Sequence, residues 1–272
     1  CQRVLPCRCS IIRSGYLAKP PRLSVTEGDI FRLNILIPLH LVNKWPYSCP
    51  GRVLPVPEVS MTAEPVRAVL FDAYGTLCHI ADQRRPYQQL AKRVTNRVLF
   101  TKAVMTQPLS LRQAAHRAAA NVSEPVLSRL ETELQEELGS VRLFPEVEEV
   151  LETLKSRGYR LGVIANLAQP YAEPLKALLP FGLDLYAWSF ERGHPKPHPA
   201  LYRWACAGLG SAPAQTLMVG GTRVLDYRGA KANGLQAHWL RRHARLASSE
   251  AQTLTDLRSL LALLPATGTD AD

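Results

Sequence analysis

The chain has 272 residues, 46% hydrophobic and 21% charged, with a formal net charge of +10 at pH 7. That length can bury a substantial core, and the composition excludes collagen-like, low-complexity and wholly disordered chains. The positive surplus is spread along the sequence rather than clustered, which argues against nucleic acid as a partner.

Residues 1–60 stand apart from the rest. They hold 8 of the 21 prolines and no sustained helical or strand period, and the first methionine is Met61. They are expected to be either upstream sequence before a start at Met61 or a disordered extension. Cys7 and Cys9 in this stretch lack a second Cys or His pair at zinc-ligand spacing. The two cysteines after residue 60, Cys78 and Cys206, are isolated, as expected of buried thiols in a reducing compartment. The best apolar run, residues 35–42, is interrupted by Pro38 and His40. It is far short of the roughly 18–20 residues a membrane helix needs. With no leader pattern evident, the expected location is the cytoplasm.

After Met61 a regular alternation begins. Residues 66–71 form a short apolar run, the pattern of a buried parallel strand. Residues 84–139 read as helical. Within them, 110–120 is rich in helix formers and capped by Ser110. The next helix opens at Ser123 with Pro125 in its first turn and Leu127, Leu130 and Leu134 on one face, and Gly139 closes it. Then come a helix over 145–157, a strand over 159–165, a helix over 172–179 and a strand over 183–189. They are followed by a helix over 199–209, a strand over 216–219, a helix over 225–233, a strand over 236–240 and a closing helix over 253–264. This order predicts an α/β fold: a Rossmann-like parallel sheet with helices on both faces. The long helical block predicts a small inserted cap at 81–140, leaving 61–80 and 141–272 as the core.

Chemistry-bearing residues fall at the predicted strand ends: Asp72, Asn166 beside Ala165, Lys196, and the segment from Gly220 to Asp226. In a parallel sheet these ends share one edge, where open α/β sheets bind ligands. The segments VLFDAYGTL, VIANLAQPY, HPKPHPALY and VGGTRVLDYRGAKANG resemble, in order and spacing, the four motifs of the haloacid dehalogenase-like hydrolase superfamily. The resemblance runs over residues 66–240.

That resemblance implies a hydrolase in which Asp72 is the nucleophile, forming an ester that water then cleaves. Lys196 would neutralise charge on the nucleophile and the transferring group, and Asp226 would be a second acid of the site. Magnesium would sit on Asp72, the backbone carbonyl of Tyr74 and Asp226. Three positions depart from the usual pattern. Tyr74 stands where phosphatases of the family carry a general acid, as it does in the dehalogenases. Ala165 replaces the usual Ser or Thr, leaving Asn166 as a substitute donor. Gly221 replaces an acid that ligates magnesium, so magnesium is expected to bind weakly or not at all.

Three functions are therefore expected in turn. The first is a phosphatase acting on a small, anionic phosphate ester. The second is a metal-independent dehalogenase of 2-haloacids. The third is a catalytically impaired binding protein that keeps the fold. Tyr202 is expected to pack rather than act, and His194 and His198 to be surface or structural residues rather than ligands. Lys92, Arg93, Arg97, Arg112 and Arg117 read as a solvated helical face. Oligomeric state is not legible.

Overall fold

The computed structural model describes residues 64–242 and 252–266. The expectations for residues 1–60, including the start at Met61, lie outside this range. Strand β1 (Ala68–Phe71) is apolar at every position because both of its faces are covered. Val69 and Phe71 point into one hydrophobic cluster, Ala68 and Leu70 into another on the opposite face. Five further strands join it: β4 (Arg160–Ala165), β5 (Leu185–Trp188), β6 (Thr216–Gly220), β7 (Gln236–Leu240) and β8 (Thr253–Leu254). Their spatial order is β5-β4-β1-β6-β7-β8, and every pairing is parallel.

The chain builds outward from β1 on one side, through β4 and β5. It then crosses back to lay β6 on the other side of β1. The reversal opens a crevice at the carboxyl ends of β1 and β6. Five helices accompany these crossovers. They are α5 (Val147–Ser156), α6 (Ala172–Leu178), α7 (Ser189–Arg192), α8 (Pro199–Gly208) and α9 (Gly229–Ala232). In α5, Val147, Val150, Leu151 and Leu154 are fully buried, as the spacing predicts.

Directly after the β1 turn, β2 (Cys78–Ile80) pairs antiparallel with β3 (Val141–Leu143). Four helices lie between them: α1 (Pro86–Ala91), α2 (Arg97–Thr106), α3 (Leu111–Arg117) and α4 (Glu124–Gly139). Ser110 does cap α3, within a capping box completed by Gln113. Asn96 caps α2 by accepting from the Leu99 amide at 3.0 Å. Leu127, Leu130 and Leu134 of α4 are buried.

Two expected helices differ in the structure. The stretch 253–264 is strand β8 followed by only a short helix, α10 (Ser259–Leu263). Thr253 and Leu254 take strand geometry because Trp239 and Leu240 offer an unpaired sheet edge, a tertiary influence that local spacing does not carry. The stretch 225–233 begins as a wider turn of π-helix over Arg223–Arg228 before α9. Cys78 and Cys206 are free and buried. Among the described residues, no helix is long and apolar enough to cross a membrane.

Candidate active site

Asp72 is the first residue past β1, and its amide donates to the Val219 carbonyl at 2.9 Å. The sheet therefore holds its backbone before the chain turns away. The turn closes through the amides of Thr76 and Leu77, both donating to the Ala73 carbonyl, and of Gly75, donating to Cys78. Gly75 has φ +84°, a left-handed conformation that favours glycine. The Thr76 hydroxyl makes a long contact, 3.4 Å, to Asp72 Oδ2.

Lys196 reaches the same point from the loop between α7 and α8. Its ammonium donates to Asp72 Oδ1 at 2.8 Å and to Asp226 Oδ1 at 2.6 Å. The lysine and Asp226 side chains are each 1% exposed, while Asp72 is 16% exposed. Among the three, the Asp72 carboxylate is thus the group that faces outward. Asn166 holds the lysine loop in place. Its Oδ1 accepts from the Lys196 amide at 2.7 Å, and its Nδ2 donates to the Lys196 carbonyl at 2.9 Å. The amide expected as a substitute donor to substrate is therefore a clamp on the Lys196 backbone.

Asp226 lies against the end of β6. A Cβ on Gly220 would fall 2.4 Å from Asp226 Cγ, so glycine is what admits the carboxylate there. Its Oδ2 accepts from the Thr222 amide at 2.7 Å. Tyr202, buried as expected of a packing residue, donates its hydroxyl to the Leu225 carbonyl and so ties α8 to the turn that carries Asp226. Arg242 pairs with buried Glu146 and donates to the Thr76 carbonyl at 2.6 Å, bracing the turn after Asp72.

Burial pushes the Asp226 carboxyl up to about 6, against the lowering effect of Lys196. Burial alone would push the Lys196 ammonium down. Asp226 and then Asp72 outweigh it and hold the lysine above its ordinary value. A carboxyl raised by folding binds its proton more tightly in the folded chain. Its stabilising contribution is present below its ordinary value of 3.8 and is lost as pH rises through about 6. The variant Asp226→Asn removes this titration. Its melting temperature relative to the unaltered chain is therefore expected to improve between about pH 4 and pH 7. A difference that stays constant over that interval would show that Asp226 does not titrate there.

Tyr74 meets the Tyr171 ring edge-on, with centroids 5.8 Å apart. Its hydroxyl donates to the Tyr171 carbonyl at 2.8 Å. Burial, with Cys78 and Glu137 adding to it, raises its pKa far above the ordinary tyrosine value. A proton held this way is not readily given up.

Of the three groups expected to hold magnesium, Asp226 does not fit a resident divalent cation. Both Asp226 oxygens are taken, one by the lysine ammonium and one by the Thr222 amide. Asp72 Oδ1 is bound to the same ammonium, and Gly221 brings no acid. Among the described residues, no group of three or more His, Cys, Asp and Glu is placed to hold a metal. A magnesium site draws on one or two carboxylates together with waters, and of these two carboxylates Asp72 Oδ2 is the oxygen left to ligate.

Two residues that sequence reasoning passed over join this region to the helical segment: Tyr171 and Glu137. Glu137 had a legible signal. It continues the buried stripe of Leu127, Leu130 and Leu134 at helical spacing, where an acid is out of place. Tyr171 and Arg242 carried none, since their partners are distant in sequence.

The haloacid dehalogenase-like hydrolase family matches residues 66–234, which include Asp72, Tyr74, Asn166, Lys196 and Asp226. Phosphoglycolate phosphatase of Haemophilus influenzae (strain 86-028NP) is 38% identical over 86 residues, 30% of this chain and 38% of that protein. The chain thus matches well under half the length of this curated relative. A haloacid dehalogenase-like phosphatase from Thermococcus onnurineus has a similar structure, with a TM-score of 0.53 and 21% identity over 74% of this chain and 99% of that one. A 2-haloacid dehalogenase from Pseudomonas syringae pv. Tomato DC3000 gives 0.52 and 20%, over 73% and 98%. At these identities the two structures speak for the fold alone.

Proposed function

This chain belongs to the haloacid dehalogenase-like hydrolase family, and on that premise we propose that it hydrolyses a small, anionic phosphate ester with Asp72 as nucleophile. The observation that carries the reading is the buried Lys196 ammonium bridging Asp72 and Asp226 at 2.8 and 2.6 Å. It fixes one oxygen of Asp72 and leaves Oδ2, with only its long contact to Thr76, as the attacking atom. The relation to a phosphoglycolate phosphatase supports a phosphate ester as substrate.

In this reading Asp72 Oδ2 attacks phosphorus, the bond from phosphorus to the leaving oxygen breaks, and that oxygen takes its proton from water. Water then cleaves the aspartyl phosphate, releasing phosphate and restoring Asp72. Lys196 offsets the charge that gathers as the two anions meet. Asp226 holds Lys196 in place, and Asn166 fixes its backbone. The helices α1–α4 act as a cap that limits access to water and selects the substrate. Because Lys196 stands between the two carboxylates, turnover depends little on added magnesium.

A second reading is favoured by the Tyr74 hydroxyl. With its proton committed to the Tyr171 carbonyl, it suits a leaving group that departs as a stable anion, such as a halide displaced from a 2-haloacid. One assay separates the two. The full chain is incubated with a panel of alkyl, aryl and acyl phosphates and, in parallel, with 2-chloropropionate, each with magnesium or a chelator. The expected result is phosphate release, faster from aryl and acyl phosphates than from alkyl ones, and largely unchanged by the chelator. Halide release without phosphate release would replace the first reading by the second. Strict dependence on magnesium would refute the role given to Lys196.

A further inference from the structure

Helix α4 returns the chain from the helical segment to the sheet, and its last turn carries Glu137, which is fully buried. One oxygen of this carboxylate, Oε2, accepts from the amides of Arg84 and Arg85, both at 2.5 Å. Those two residues form the outgoing linker, immediately before α1. The other oxygen, Oε1, accepts from the Tyr171 hydroxyl at 2.6 Å. Tyr171 belongs to the sheet side of the molecule, in the turn after β4.

Arg85 adds a local cost. It has φ +58° and ψ +48°, the left-handed region, which disfavours a residue with a side chain. Two consecutive amides turned toward one carboxylate is the arrangement that such a backbone permits. The neighbouring pair adds to it: Ser140 Oγ accepts from the Asp82 amide at 3.0 Å, and the Ala81 amide donates to the Ser140 carbonyl at 3.1 Å. The two linkers are thus bound to each other, and Glu137 connects that junction to Tyr171.

Tyr171 is in turn surrounded by the groups that matter. Its carbonyl receives the Tyr74 hydroxyl, two residues beyond Asp72. Its ring meets Tyr74 edge-on at 5.8 Å and Tyr87 of α1 at 6.0 Å. A continuous series of contacts therefore runs from the Asp72 turn through Tyr74, Tyr171 and Glu137 to the linker amides.

We infer that Tyr171 and Glu137 form a latch between the sheet and the helical segment, fixing how α1–α4 are held relative to the Asp72 turn. Both are positioning residues; neither touches the reacting group. The hydroxyl of Tyr171 fixes the rotation of the Glu137 carboxylate, and the carboxylate fixes the two amides and the left-handed Arg85. Removing that hydroxyl loosens the linker even though no linker bond is deleted.

Amide hydrogen exchange on the full chain tests this, with Tyr171→Phe and Glu137→Gln beside the unaltered protein. Tyr171→Phe keeps the ring and both bonds from Arg84 and Arg85 to Glu137. The latch requires the amides of Arg84 and Arg85 to exchange faster in this variant by about 5-fold or more. The amides of β4 should stay as protected as before. Glu137→Gln is expected to show the same effect, larger. Unchanged exchange at Arg84 and Arg85 in Tyr171→Phe would overturn the latch. So would loosening spread equally over β4, which is loss of global stability rather than release of the linker. If Glu137→Gln does not fold, Tyr171→Phe decides by itself. The readout needs no turnover, so it stands or falls separately from the role proposed for Asp72.

Discussion

Asp72→Asn is expected to lower kcat by at least about 10⁴-fold, with the chain still folded. Asparagine keeps the size of the side chain and one acceptor for Lys196. It lacks the second anionic oxygen, and an amide is too weak a nucleophile to form the ester. Loss of a nucleophile is among the largest single effects in hydrolases that work through a covalent intermediate. A single turnover in ¹⁸O-labelled water tells where the intermediate breaks. An aspartyl phosphate opened at phosphorus places the label in released phosphate and leaves Asp72 unlabelled. An alkyl ester of Asp72 opened at the acyl carbon places the label in the Asp72 carboxylate. Turnover that survives Asp72→Asn would remove Asp72 from the chemistry altogether.

Lys196→Met is expected to cost about 3–5 kcal/mol of folding stability and to abolish turnover, because two carboxylates would be left facing each other without the intervening cation. Asp226 has almost no access to water and cannot recover solvation in place of the lost partner. The combined change Lys196→Met with Asp226→Asn should regain part of the stability, since the stranded charge is gone, and should regain no activity. Urea unfolding midpoints of the two variants measure the first effect. A single variant as stable as the unaltered chain would mean that the buried charges are not held together as the distances indicate.

Asp72→Asn removes the outward-facing oxygen, and Lys196→Met removes the buried support beneath it. Lys196 has two roles: it holds Asp72 in the orientation in which one oxygen is presented, and it makes the buried acid Asp226 compatible with a folded chain. Its position also accounts for the weak case for magnesium, because the cation that bridges the carboxylates is part of the chain.

By itself, the sequence determined the parallel α/β sheet and the convergence of Asp72, Lys196 and Asp226. The reason is that these depend on local signals. Apolar runs such as 66–71 mark buried strands, helical spacing such as that of Val147, Val150, Leu151 and Leu154 marks covering faces, and strand ends share one edge of a parallel sheet. Only the tertiary structure decided where the polar groups point. Asn166 grips the Lys196 backbone, Tyr74 gives its proton to Tyr171, Glu137 spans both linkers, and residues 253–254 become a strand at the free edge of β7. Each of these rests on a partner far away in the chain, and a hydrogen bond between distant residues leaves no periodicity behind. The strand ends placed the acids and the lysine in one crevice. What the fold alone settled is that the lysine, rather than an open space, lies between the acids.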